Sequence, residues 1–575
     1  MKTLLYTLKP YRAQCAFIIL VALADVGGSL LVPTITANMI NSAIAGGAIG
    51  QLVHQGIIML VIALSSGMLT LFGSWLCARL SANLGRDLRE AVYDKSLSFS
   101  ASDFEIFGTA SMITRTLNDI NIIQQAFVAF IQMILPVPII CIMGIVLSFR
   151  IHTGMGLLLL TGTGFVLLAA LFIMRKASPI FDKLQRFLDQ MNVVLRENLT
   201  GVRVIRAFNK ESRETERMEK TFEKYAASSI QANYLFAGLD CLATVVINLM
   251  IVAVLYYGGN AVGSGNMEIG DITAVSEYAI WILLYIMMAQ MTVLMLPRAL
   301  TCIRRVSAVL NHKPEITDGT DHLQDSGQDE IVAFDDVSFC FSDADEETLS
   351  HISFTCRRGK TTAVVGGTGS GKSTITKLLL RYHDVSDGKI MLHGQDIRSL
   401  SQKDVRDAVS YVPQKAWLFS GTIAENLRYG NSDATEEELR RALNIAQSDF
   451  VFRLPQGYDS PVAQGGMNFS GGQKQRLSIA RALVKKADLY VFDDSFSALD
   501  FKTDAALRRA LAEEIKDSAV LIIAQRISTI LHADQIIVLN DGKIAGKGRH
   551  EELMSSCPVY VDIVNSQMKG GKLDG

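Results

Sequence analysis

Six apolar runs occupy the first 300 residues, near 15–40, 55–78, 126–148, 154–174, 235–257 and 272–296. Each is long enough to cross about 30 Å of hydrocarbon as a helix. Inside lipid every backbone N–H and C=O needs a partner within the protein, so runs of this kind are read as helices. The first run follows Lys2, Lys9 and Arg12, as a secretory leader would. It is too long for a leader's apolar core and five further runs follow, so it is expected to stay as an uncleaved span. Pro136 and Pro138 fall inside the third run and are expected to bend it.

The loops orient the spans. Residues 44–53 and 258–271 contain no Lys or Arg, whereas 175–232 carry twelve and 79–125 carry five (Arg79, Arg86, Arg89, Lys95, Arg115). Positive loops stay inside, which predicts a multi-pass protein of the cell membrane with both termini cytoplasmic. Arg150, in a short outer loop, is a minor exception. Residues 1–12 are expected to form a short helix on the cytoplasmic membrane surface. A net charge of −2 points away from polyanions, so no nucleic-acid partner is expected. The eight cysteines (15, 77, 141, 241, 302, 340, 356, 557) show no C-x-x-C pairing and read as small apolar residues, not as a disulfide framework or zinc site.

The second half changes character. Gly366-Gly367-Thr368-Gly369-Ser370-Gly371-Lys372-Ser373 fits G-x-x-x-x-G-K-[ST] and is followed by Thr374. Its glycines let backbone N–H groups curl around phosphate oxygens, Lys372 neutralises the outer phosphates, and Ser373 offers a hydroxyl to Mg²⁺. Thr361–Val365 reads as the preceding strand and Ser373–Leu380 as a helix whose N-terminus faces the anion. About a hundred residues later comes Phe469-Ser470-Gly471-Gly472-Gln473, then Lys474-Gln475-Arg476. This resembles the signature of ABC-type ATPases. Leu489–Asp493 resembles the Walker B strand, Gln414 the Q-loop and Ser497-Ala498-Leu499-Asp500 the D-loop, all in the family's order across residues 331–566.

The resemblance implies a polytopic α-helical membrane domain of six spans, exporter type, over residues 1–310. A linker at 311–330 and a cytoplasmic α/β P-loop ATPase domain of ABC type at 331–566 follow, with a tail at 567–575. Membrane-first fusion favours an exporter. Glu197–Phe208 resembles the cytoplasmic helix extensions of six-helix exporter halves, although an ordinary amphipathic helix has the same periodicity. The resemblance also implies short coupling helices near 96–104 and 207–216. ATP and Mg²⁺ are the implied cofactors. Ser373, Gln414 and Asp493 are the implied Mg²⁺ residues, and Phe341 falls at the adenine-stacking position, with a core phenylalanine as the alternative. In this family one chain's phosphate loop faces another chain's Ser470-Gly471-Gly472-Gln473 equivalent, so a second half-transporter is required.

Two positions depart from the pattern. Asp494 stands where the family's active sites carry the glutamate that polarises water, and Gln525 stands where a histidine approaches the γ-phosphate. Glutamine hydrogen-bonds but cannot become cationic. Together they resemble the degenerate subunit of a heterodimeric exporter, with a homodimer of two weak sites as the competing reading. Asp494, Gln525 and Gln414 are the candidate catalytic residues.

The cargo is less constrained. Asp25, Asp240 and Glu277 lie in or near spans and read either as cation-binding groups or as interhelical hydrogen-bonding ones. Met287, Met288, Met291 and Met295 with Trp281 and Tyr285 suit adaptable apolar contact. A small lipophilic or drug-like substrate is expected; peptides, lipids, siderophores and an ATP-gated regulator that does not pump are the alternatives.

Overall fold

The computed structural model describes residues 7, 9–293, 295–324, 327, 329–341 and 344–570. The chain divides into two compact units, Met1–Ser98 with Gly108–His312 and Phe99–Phe107 with Lys313–Gly575. In chain order the first helices are α1 (Arg12–Ile44), α2 (Ile49–Leu97), α3 (Ala101–Phe107), α4 (Thr109–Ile151), α5 (Thr153–Ala207), α6 (Glu211–Gly263), α7 (Ile269–Val293) and α8 (Leu296–Asn311). Six of them, α1, α2 and α4–α7, are long and apolar enough to cross a membrane. The expected surface helix at 1–12 lies largely outside the described residues; Lys9–Tyr11 is a single 3-10 turn.

Two of the helices are longer than a membrane crossing needs. At about 1.5 Å per residue, α5 with 55 residues and α6 with 53 are each roughly 80 Å long, far beyond a bilayer core. The basic region between their apolar parts is therefore helical almost throughout. The short helix expected near 207–216 does not exist as a separate element. Only 208–210 interrupt α5 and α6, and Asn209 turns the chain at φ +50°, a conformation that Asn tolerates better than most residues. In α4, Leu135 N–H bonds to Phe130 O at 2.9 Å, an i→i−5 turn just before Pro136. The wide turn absorbs the clash that a proline ring makes with the preceding turn, so the bend expected there takes the form of a π-bulge.

Polar groups inside the membrane unit mostly answer one another. Ser66 Oγ and Thr70 Oγ1 of α2 donate to Asp25 Oδ1 at 3.0 and 2.6 Å, so Asp25 ties α1 to α2. That is the interhelical reading. Thr34 and Tyr278 hydroxyls pair at 2.6 Å between α1 and α7. Asp119 is fully buried and meets Arg305 of α8 at 2.6 Å. Glu277, half-buried in α7, has no hydrogen-bond partner among the described residues, and Asp240 is exposed.

The second unit is a layered α/β structure. The strands of its two larger sheets are β1 (Glu330–Phe339), β2 (Leu349–Arg357), β3 (Thr361–Gly366), β4 (Asp387–Leu392), β5 (Gln395–Asp396), β6 (Val409–Val412), β7 (Leu489–Asp493), β8 (Ala519–Ile523), β9 (Gln535–Asn540) and β10 (Lys543–Gly548). One sheet runs β2-β1-β4-β5; a second runs β10-β9-β3-β8-β7-β6, parallel except for the edge strand β10; a short antiparallel ribbon pairs Gly421–Thr422 with Pro461–Val462. Central strand β7 is buried at every position, as expected where both faces are covered. Alternate residues feed two cores: Leu489 and Val491 face the antiparallel sheet, whereas Tyr490 and Phe492 face the helical side.

Helix α3 clusters with this second unit. It begins at Ala101, later than the expected 96–104, because Ser100 and Asp103 cap one another: Asp103 N–H donates to Ser100 Oγ at 3.2 Å and Ser100 N–H to Asp103 Oδ2 at 2.8 Å. Ser102 Oγ bonds Glu315 Oε2. The remaining helices used below are α9 (Lys372–Leu379), α10 (Gly471–Val484), α11 (Phe501–Glu514) and α12 (Pro558–Gly570). Since α12 runs to 570, residues 567–570 belong to a helix and not to the expected tail.

Candidate functional site

Parallel strands deliver their following loops to one edge of the sheet. The loops after β3, β6, β7 and β8 carry residues 366–373, Gln414, Asp493–Asp494 and Gln525, and the pairings Ile523↔Asp493, Ile523↔Val364 and Val412↔Phe492 bring their ends level. Such carboxyl-end crevices are where open α/β sheets bind ligands. Sequence-distant candidates thus meet because of topology.

The phosphate loop is shaped by two left-handed glycines, Gly369 at φ +85° and Gly371 at φ +92°. A Cβ on Gly371 would come within 2.5 Å of the Leu349 side chain and 2.9 Å of Thr348 O, so this position needs glycine sterically as well. Thr368 and Ser373 are exposed, while Ser370 and Thr374 are buried. Ser370 Oγ donates to Gly367 O at 2.9 Å and so shapes the loop. Lys372 Nζ donates to Gly366 O at 2.9 Å and Gly367 O at 2.5 Å. Burial pulls its pKa below the usual lysine value, opposed by the charges of Asp494 and Asp493. An anion at the N-terminus of α9 would meet the ammonium, the loop amides and the helix dipole together.

Asp493 is 4% exposed at the end of β7. Burial raises its pKa, and Tyr411 and Thr376 counteract this by donating to Oδ2 at 3.3 and 3.4 Å. Both recorded bonds fall on Oδ2. With the exposed Ser373 hydroxyl and the Gln414 amide, this single carboxylate suits Mg²⁺, which takes one or two carboxylates and otherwise waters and phosphate oxygens. Tyr411 and Thr376 were not expected from the sequence, since neither belongs to a glycine-rich or acidic motif.

Asp494 adopts φ +47°, its N–H donates to Ile523 O at 2.8 Å, and its Oδ2 accepts from Gln414 Nε2 at 3.1 Å. Aspartate is among the few residues that enter the left-handed region readily. Gln525 is exposed after β8, and its carbonyl accepts from Gln567 Nε2 at 2.7 Å. Phe341 is half-buried, with Phe339 and His383 rings at 4.8 and 5.3 Å in edge-on contact and Lys377 Nζ 5.3 Å from its centroid. These contacts pack it against the core of the antiparallel sheet, as the core reading of this phenylalanine requires.

The Ser470–Gln473 segment stays apart. Ser470 caps α10 reciprocally with Gln473: Ser470 N–H donates to Gln473 Oε1 at 2.9 Å and Gln473 N–H to Ser470 Oγ at 3.3 Å. Among the described residues, no hydrogen bond joins it to the chain's own phosphate loop. Gln475 Nε2 donates to Pro413 O at 3.1 Å and so links α10 to the loop that carries Gln414.

Comparison with known proteins agrees with this arrangement. Residues 15–287 match the family described as the ABC transporter transmembrane region, and residues 349–497 match the ABC transporter family. An uncharacterised ABC transporter ATP-binding protein of Mycobacterium tuberculosis (strain CDC 1551 / Oshkosh) is 35% identical over 99% of this chain and 98% of its own length. An ATP-dependent lipid A-core flippase of Desulfotalea psychrophila is 30% identical over 89% of each. A solved bacterial Atm1-family ABC exporter with ATP bound superposes with TM-score 0.82 at 26% identity, covering 97% of this chain and 98% of that one.

Proposed function

We propose, because this chain belongs to the ABC transporter family as an exporter-type half-transporter with its membrane domain fused ahead of its ATPase domain, that it exports small lipophilic compounds across the cell membrane as one half of an asymmetric dimer. ATP hydrolysis coupled to transport and binding of ATP with Mg²⁺ come with the family. Bound there, Mg-ATP supplies the anionic phosphates and the cleavable outer bond. Residues 366–373 would hold the phosphates, and Ser373, Asp493 and Gln414 would hold the cation. Asp494, which follows the Mg²⁺-holding Asp493, would orient the attacking water.

The single observation that carries the asymmetric reading is the combination of Asp494 and Gln525 beside an otherwise complete phosphate loop and an intact Ser470–Gln473 segment. A carboxylate shortened by one carbon–carbon bond, about 1.5 Å, loses reach where proton transfer needs contact near 3 Å. Here that carboxylate is also engaged by Gln414. The chain's own site then holds ATP with slow turnover, and residues 470–473 complete the faster site of a partner that supplies glutamate and histidine.

The substrate class rests on the spans. No Lys or Arg lies within the apolar runs, whereas Glu277 and Asp240 do. An uncompensated acidic group at membrane depth suits neutral or cationic lipophiles better than polyanions. The lipid A-core flippase relative keeps lipid as the second reading.

Two tests separate these claims. Co-reconstituted with a half-transporter that supplies the glutamate and histidine, the chain is expected to drive ATP-dependent accumulation of a lipophilic cation into inside-out vesicles. Vigorous Mg²⁺-dependent turnover by the chain alone, in symmetric dimers, would instead establish a homodimer. Lys372→Ala is expected to weaken ATP binding at this chain's site about 10- to 100-fold, the range for losing a charged hydrogen-bond partner. It should slow total turnover less than the equivalent lysine change in the partner; equal losses would count against a division of labour.

A further inference from the structure

The segment that follows β8 is held at both ends by side chains outside the phosphate site. Gln567, on the last helix α12, donates through Nε2 to Gln525 O at 2.7 Å, and its Oε1 accepts from Ile527 N–H at 2.8 Å. One side-chain amide thus spans two residues of backbone as a neighbouring strand would, satisfying an acceptor and a donor at once. At the other end, Arg508 of α11 donates through Nη1 to Ser528 O and Thr529 O at 3.0 and 3.2 Å, while its Nη2 donates to Asp504 Oδ2 at 2.7 Å. Helix α11 is capped by Asp500, whose Oδ1 accepts from Thr503 N–H at 3.0 Å.

Helix α12 is itself fixed without help from Gln567. Tyr560 and Val564 are 0% and 1% exposed in the core, and Tyr560 Oη pairs with His550 Nδ1 at 2.8 Å. Gln567 is exposed and projects beyond that packed face. It therefore contributes little to the core, yet it contacts the backbone on both sides of Arg526.

We propose that Gln567 is a positioning residue for the nucleotide site: the C-terminal helix, through this two-point amide clamp, sets the direction in which the side chain at 525 meets the outer phosphate. The proposal rests on the reading of Gln525 as the γ-phosphate position. Without the clamp the backbone at 525–527 regains freedom that must be lost again on each ATP binding. ADP, which lacks that phosphate, is indifferent.

The test is the preference for ATP over ADP, measured by displacement of a fluorescent ADP from the full-length protein in lipid nanodiscs with Mg²⁺. Gln525→Ala is expected to lower the ATP-over-ADP ratio about tenfold, the equivalent of one hydrogen bond worth about 1.4 kcal/mol. Gln567→Ala should lower it about three- to tenfold with the ADP affinity and the unfolding midpoint unchanged. In the Gln525→Ala background, Gln567→Ala should have no further effect, because the two act through one contact. Gln567→Glu keeps the acceptor for Ile527 N–H but sets a carboxylate against Gln525 O, so near neutral pH it should resemble the alanine variant. A ratio lowered by Gln525→Ala but untouched by Gln567→Ala overturns the clamp alone. A ratio untouched by Gln525→Ala overturns the γ-phosphate reading, and the clamp with it. Additive losses, or losses that track a lowered unfolding midpoint, assign Gln567 a structural role and overturn the proposal as well.

Discussion

Gly471→Asp is expected to remove nearly all ATP turnover by the assembled transporter, on the order of a hundredfold or more, while the chain folds and binds nucleotide at its own site as before. Folding should survive because a Cβ at Gly471 meets nothing within 4 Å. Position 471 is also the first residue of α10, where a carboxylate interacts favourably with the helix dipole. The change is therefore neutral or mildly stabilising in the isolated chain. Its damage lies across the dimer, where the family places these glycines against the partner's outer phosphate, and where an aspartate adds bulk and negative charge. Ser470→Ala is a less clean probe of the same site, since it also removes a helix cap and about 1 kcal/mol of local stability. Gly472 is less clean for another reason: a Cβ there would stand 3.2 Å from Ala498 O. Turnover, unfolding midpoint and own-site ATP affinity measured together decide the matter. Unimpaired turnover in a dimer carrying Gly471→Asp would remove residues 470–473 from the partner's site.

What the sequence makes legible here is what backbone chemistry dictates locally. The phosphate loop is readable because two of its positions need φ above zero and two, Gly366 and Gly371, have no room for a Cβ. The spans are readable because lipid leaves the backbone no alternative to long helices, and the resemblance of Glu197–Phe208 to exporter helix extensions anticipates that α5 and α6 run on beyond their apolar parts. Other features depend on partners far along the chain. Asp25 looked like a possible ligand for a cation until Ser66 and Thr70, 41 and 45 residues later, came to it across a helix pair. Tyr411 and Thr376 reach Asp493 only once β6 and α9 stand beside β7. Gln567 read as tail because a single glutamine near a chain's end has no motif around it; its meaning lies in the two backbone atoms it touches. The early start expected for α3 failed on a local detail, the mutual cap of Ser100 and Asp103.

Asp494→Glu combined with Gln525→His is expected to raise hydrolysis at this chain's own site by at least about tenfold. A misplacement near 1 Å can cost about a hundredfold, and the glutamate recovers the missing carbon–carbon bond. The histidine restores a ring that can donate to, and carry charge beside, an outer phosphate. Two features of the native site limit the gain. Asp494 sits at φ +47°, where aspartate is better tolerated than glutamate, so part of the recovered reach is spent on a less favourable backbone. Gln414 now holds the aspartate's Oδ2 at 3.1 Å, and a longer side chain must leave or stretch that bond before it can orient water. The measurement is single-site turnover in a dimer with the proposed glutamate-bearing partner, that glutamate replaced by glutamine so that only this chain's site can contribute. An unchanged rate there would mean that the partner's facing signature, and not these two side chains, sets the slow step. Asp494→Ala in the natural background reads the other way: total turnover should fall only modestly if the working base belongs to the partner. A large fall would make Asp494 the working base despite its shorter reach, and two equal sites in a homodimer would then describe the transporter better than an asymmetric pair.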